Sequence, residues 1–166
     1  MSGPFMISVD PGLNGCGVAI WNVEKHLERA SYVKNPGDDF VSMVLAVART
    51  IPRFSVLPNY LVTELPQVYT RTRSKGDPND LISLALFVGA LAFYAGRGGY
   101  KLYKPAEWKG QVTKEITELR AKKRLTSDEL AKIELPSAKS LAHNVWDAVA
   151  LGLVHLYHRS SNVLPT

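Results

Sequence analysis

The 166-residue chain is the size of one domain, and its 46% hydrophobic content supports a buried core without covalent staples. Its lone cysteine, Cys16, excludes an internal disulfide and a cysteine-built metal cluster, so a reducing cytoplasm is the expected compartment. The net charge of +5 is concentrated in residues 97–124, where nine basic residues face three acidic ones, a pattern that suits either a polyanion or a solvated helix face.

No amino-terminal stretch has the layout of a signal peptide. The longest apolar run, residues 81–95, is short for a bilayer span, so a soluble protein with no membrane partner is expected.

In chain order, the apolar run Phe5-Met6-Ile7-Ser8-Val9 closes on Asp10. The turn formers Pro11-Gly12 and Asn14-Gly15 come next, then a second run, Gly17-Val18-Ala19-Ile20-Trp21. Two strands joined by such a turn pair antiparallel. Asp10 then stands at the rim of a buried sheet. A carboxylate there is costly without a counter-charge, which a divalent cation supplies; capping the turn is the plainer role. Residues 26–33 give a third strand, ended by Asn35-Pro36-Gly37. Asp38 or Asp39 then caps a helix whose apolar positions, including Phe40, Val44, Val47 and Ile51, recur at helical spacing as far as Pro52. The fourth strand, Tyr60-Leu61-Val62-Thr63, ends in a second carboxylate, Glu64.

Residues 68–80 read as a polar, basic surface loop with Arg71, Arg73 and Lys75 around Gly76, and Asp80 caps the next helix. Residues 81–95, which form it, are apolar almost all round. A helix of that character needs cover on more than one side, from the sheet and from a second copy of the chain, or else from a monomer's own core. Tyr100-Lys101-Leu102-Tyr103 makes a fifth strand stopped by Pro105, and residues 106–133 are weakly helical with a fresh cap near Thr126. The last helix spans residues 137–158, with a stripe of Leu141, Val145, Val149, Leu153 and Leu156.

On that helix Asp147 lies one turn beyond His143 and Asn144, so the three polar groups share a face. If the strands ending at Asp10 and Glu64 are neighbours, about 5 Å apart, both carboxylates reach one pair of ions spaced by roughly 4 Å. Such a pair suits phosphodiester cleavage, with the basic block supplying phosphate contacts. Taken singly, Asp147 pairing with a lysine and His143 packing as an ordinary histidine are the simpler readings. Three acids at two strand ends and one helix face favour a metal site.

These segments, in order, resemble the RuvC-like Holliday junction resolvases of the RNase H-like superfamily. The resemblance rests on Asp10-Pro11-Gly12 and its hairpin, Thr63-Glu64 with Gln67-Val68-Tyr69, Gly89-Ala90, residues 105–109, and Asp147-Ala148-Val149-Ala150-Leu151. It implies an α/β fold with a mixed five-stranded sheet flanked by helices, one nuclease domain over residues 1–166, a homodimer formed through the helix at 81–95, and the cytoplasm of a bacterium or phage-infected cell. It further implies two Mg²⁺ ions per site, with Mn²⁺ as a substitute, held by Asp10, Glu64 and Asp147. Many relatives place a second Asp three residues before the last. Here Asn144 stands there and His143 precedes it, so the fourth ligand is one or the other. Tyr69 matches an aromatic that wedges into the junction, Lys109 a lysine near the scissile phosphate, and Lys114 a possible second. Arg71, Arg73 and Lys75 join them as DNA contacts.

The implied activity is resolution of four-way DNA junctions by paired nicks that leave a 5′-phosphate and a 3′-hydroxyl. The rivals are a nuclease for flaps, forks or RNA–DNA hybrids, and a junction-binding architectural protein whose site has decayed. A kinase-like ATP-binding protein is disfavoured by the short chain and the missing second lobe.

Overall fold

The computed structural model describes residues 6–51, 60–67, 77–110 and 112–158. Strands β1 (Met6–Asp10), β2 (Gly15–Trp21) and β3 (Leu27–Lys34) form an antiparallel meander. Helix α1 (Phe40–Thr50) carries the chain to β4 (Tyr60–Glu64), which returns parallel to β1. Helix α2 (Pro78–Ala95) leads to β5 (Tyr100–Tyr103), parallel to β4. The single-turn α3 (Pro105–Trp108), α4 (Lys114–Lys122), the single-turn α5 (Ser127–Leu130) and β6 (Ile133–Glu134) precede α6 (Lys139–His158). The sheet order is β5-β4-β1-β2-β3-β6.

The sheet therefore has six strands where five are expected. The extra one, β6, is two residues long and pairs with Ala30 and Ser31 of β3. The weak helical pattern of residues 106–133 resolves into α3, α4, α5 and this edge strand, because turns and caps divide a run too polar to sustain one long helix.

Strand alternation sends side chains to two cores. Met6, Ala19, Trp21 and Val62 pack with Val145, Val149 and Leu153 of α6 on one face, and Ile7, Val9, Ile20 and Leu61 pack with Met43, Val47, Phe87 and Leu91 on the other. Central β2 is buried along its whole length, which is why its sequence is continuously apolar rather than alternating. Buried Ser8 accepts a hydrogen bond from Trp21 Nε1 at 2.9 Å, so the indole's polar end is satisfied inside the first core.

Asp39 is the α1 cap, accepting from the Ser42 amide, as one of the two expected candidates. For α2 the cap is Asp77, not Asp80: Asp77 accepts from the Asn79 amide, and Pro78 takes the first helical position, where its missing N–H costs nothing. The helix thus has 18 residues and is long and apolar enough to cross a membrane, so length alone does not exclude a bilayer span. Its inner face is nevertheless fixed to its own fold, with Phe87, Val88, Leu91 and Ala95 buried. The outer face is bare: Phe93 is 90% exposed, and Ile82, Leu86 and Tyr94 lie open beside Val41 and Leu45 of α1. The expected cover from the sheet is present, and the second cover is not supplied by the described residues of the chain itself.

Candidate active site

Three elements of the sheet end at one place. Val9 pairs with Thr63 in the parallel β1–β4 ladder, so the next residues, Asp10 and Glu64, emerge side by side from the same edge. Tyr103 pairs with Glu64, so β5 ends there too, and the chain turns at Pro105 into α3. That turn delivers Trp108 and Lys109. Trp108 Nε1 donates to Glu64 Oε2 at 2.9 Å, and Lys109 Nζ donates to Asp147 Oδ2 at 2.6 Å.

Asp147 comes from above, on a helix that nearly touches the sheet. A Cβ on Gly17 would lie 1.8 Å from the Asn144 carbonyl oxygen, and one on Gly152 would lie 2.5 Å from Trp21 Nε1. Only the bare backbone at these two positions lets α6 sit this low. Gly17 is the partner of Asp10 in the β1–β2 ladder, so seating residue 144 on Gly17 lowers Asp147, one turn further on, towards Asp10. Asp147 is 5% exposed, and its ion pair with Lys109 has both side chains largely covered.

Burial pushes the Asp10 carboxyl well above the usual carboxylate range, and the charges of Asp147 and then Glu64 push it further, against a weaker downward pull from Lys109 and Lys114. Burial also raises Glu64, opposed by the Trp108 hydrogen bond and Lys109. His143 is lowered, first by burial and next by Lys114, with Asp147 acting in the opposite sense. Burial and Lys114 both favour the neutral imidazole. The Asn144 backbone lies against Gly17.

The structure thus brings Asp10, Glu64, Asp147 and Lys109 into one electrostatic unit, with His143 and Lys114 in its field. The lysine pairing considered for Asp147 is present. Among the described residues, no three His, Cys, Asp or Glu side chains close into a ready-made metal cage. Tyr69, Arg71, Arg73 and Lys75 lie outside the described residues. Trp108 escapes a reading of the sequence: a single-turn helix carries no periodicity, and its indole N–H finds Glu64 only through the tertiary fold.

The arrangement is an α/β fold of the RNase H-like kind, a mixed sheet flanked by helices, here with acids at the ends of adjacent strands. The particular likeness is to RuvC of Thermus thermophilus, with 21% identity over 95% of this chain and 96% of that one and a TM-score of 0.61. A yeast mitochondrial Holliday junction resolvase aligns at 11% identity over 98% of this chain and 87% of that one, with a TM-score of 0.42, too distant to carry weight. The chain matches no protein-family model and no curated protein. The RuvC likeness establishes the fold.

Proposed function

We propose that this protein is a metal-dependent, structure-selective endonuclease that resolves four-way DNA junctions. The observation that carries the reading is Asp10: a half-buried carboxylate at a strand end, beside Glu64 on the neighbouring strand and below Asp147, which holds the Lys109 ammonium. Acids gathered at the ends of adjacent strands, with perturbed ionisation, mark a candidate functional site. The RuvC-like fold supports the same reading from a separate direction.

The donors fit a hard divalent cation, since Asp10, Glu64 and Asp147 offer only oxygen and carry more negative charge than Lys109 neutralises. His143, whose surroundings favour the neutral imidazole, and Asn144 are the two candidates for the fourth ligand position. When bound, Mg²⁺ or its substitute Mn²⁺ supplies activation of water and neutralisation of the departing oxygen.

The chain's own groups do the rest. Trp108 fixes the orientation of Glu64, so that carboxylate needs no reorganisation when substrate arrives. Lys109, on a turn beside both acids, presents an ammonium to a phosphate oxygen at the edge of the site, and Lys114 adds charge nearby. Hydrolysis then forms the bond from water oxygen to phosphorus and breaks the bond from phosphorus to O3′, leaving a 5′-phosphate and a protonated 3′-hydroxyl. The bare apolar face of α1 and α2 suits a second copy of the chain, and a twofold dimer presents two such sites to a nearly twofold junction.

The test is incubation of purified protein with a synthetic four-way junction, a flap, a fork and an RNA–DNA hybrid, each with magnesium, with manganese or with chelator. Symmetric paired nicks in the junction that depend on metal are expected. Preferential cutting of the hybrid or the flap would replace the substrate, and tight junction binding without cutting under either metal would make the protein a binder.

A further inference from the structure

A groove of about 660 Å³ runs between α4 and α6, beginning at Trp108 and Lys109. These are the two residues that contact Glu64 and Asp147, so the groove and the candidate active site share a border. Its wall carries Arg120, Lys123 and Arg124, its floor is apolar and includes Leu153 and Val154, and no carboxylate lines it among the described residues. At the far end the Arg124 guanidinium lies 5.1 Å from the centre of the Tyr157 ring, forming a flat cationic and aromatic ledge. Beyond that ledge a smaller hollow shares Arg124 and Tyr157 and adds Glu24 and Glu129 together with Lys25 and His26, so the unopposed positive charge of the groove is not continued there.

We propose that this groove binds one or two unpaired nucleotides of the DNA strand leaving the candidate active site, with bases on the Tyr157–Arg124 ledge and the apolar floor and phosphates on Arg120 and Lys123. A duplex offers phosphates, sugars and base edges but keeps its base faces stacked inside, which leaves an aromatic ledge and an apolar floor without a flat partner. An unpaired strand supplies both an anion every nucleotide and an aromatic face, and it suits a groove in the size class of a small-ligand pocket. The floor and the ledge also argue against a merely acidic peptide, which would use the cations alone. The assignment to DNA rests on the endonuclease reading.

The experiment is titration of the full-length protein with the oligonucleotide dT7 in chelator, so that nothing is cut, monitored by Trp emission. Trp21 and Trp146 are buried, so quenching reports Trp108 at the groove mouth. Saturable quenching is expected. Arg120→Ala with Lys123→Ala should weaken binding at least about tenfold and reduce the logarithmic salt slope by about 1.4, at about 0.7 per phosphate contact on a single strand. Tyr157→Ala should weaken it about tenfold through lost stacking. Lys34→Ala with Arg49→Ala, an equal charge loss elsewhere, should change it less than about twofold. A bromodeoxyuridine-containing dT7 should photo-crosslink to Tyr157 or Trp108.

Equal losses in both double variants, crosslinks confined to other surfaces, or competition by a heptaglutamate peptide at equal concentration would overturn the groove assignment. The two readings also fail separately. Junctions left uncut in the presence of metal while dT7 binds as expected would remove the endonuclease and keep the groove. Metal-dependent nicking with no quenching and no crosslink would do the reverse.

Discussion

Asp10→Asn should stop cleavage and at the same time raise the melting temperature of the metal-free protein. The two effects have one cause. Burial, Asp147 and Glu64 all disfavour a charge at Asp10, so ionising this side chain is a cost carried by the fold. An amide of nearly the same shape removes it, and sites kept at such a cost for function commonly return about 1–2 kcal/mol when neutralised. For a chain of this size that is about 3–6 °C in Tm.

The pH dependence fixes the cause. With its pKa raised in the fold, Asp10 keeps a proton that the unfolded chain has already released, so the native state binds more protons between the two values. Stability is then complete below the ordinary carboxylate range and is lost as pH rises through the raised value. Thermal melts of wild type in chelator should fall across that window, and those of Asp10→Asn should be flatter, with Glu64 supplying the remaining slope. Junction nicking by the variant should drop by at least about a thousandfold, the scale on which loss of one transition-state partner acts. Binding to branched DNA should persist. A variant that melts lower than wild type, or that still nicks, would show that Asp10 is a structural turn cap.

Gly17→Ala should be the most damaging glycine-to-alanine change among the described residues. The new Cβ would stand 1.8 Å from the Asn144 carbonyl oxygen and 2.8 Å from the Val145 amide nitrogen. Both are backbone atoms of a helix with a fully packed inner face, so no side-chain rotation relieves the clash. Helix α6 must rise by roughly 1.5–2 Å to regain normal contact. Forced overpacking of this kind costs about 3 kcal/mol or more, or about 10 °C in Tm. Function should suffer beyond stability. The displaced helix carries Asp147 away from Asp10, and a 1 Å misplacement of a reacting group costs on the order of a hundredfold in rate. Circular dichroism melts and nicking rates measured well below the new Tm separate the two effects. A variant that folds, melts and cuts as wild type does would show that α6 is not seated on Gly17.

Much of this is legible in the residues. Asp10 and Glu64 each close a short apolar run, which places a carboxylate at a strand end, and the stripe through Val145, Val149 and Leu153 marks the buried face of α6 beside Asp147. What makes them one site is not legible. The parallel pairing of β1 with β4 spans about fifty intervening residues, and no local pattern encodes it. The β6 strand exists only through its pairing with β3, since two residues have no period of their own. Asp77-Pro78 is a proper cap with a first-turn proline, but it stands in a polar run that reads as loop, so the residues alone put the helix start too late. Lys109 comes from family resemblance rather than from any pattern, and Trp108 from neither. Gly17 and Gly152 read as strand and helix glycines until the close approach of α6 gives them their purpose.

The most direct measurement is binding of Mn²⁺ by the free protein, detected by electron paramagnetic resonance without DNA. Saturable binding by the wild type that is lost in Asp10→Asn is the expected result, because the proposed site needs all three carboxylates. Equal binding by the two proteins, or no binding by the wild type at millimolar Mn²⁺, would contradict a shared cation site at Asp10, Glu64 and Asp147.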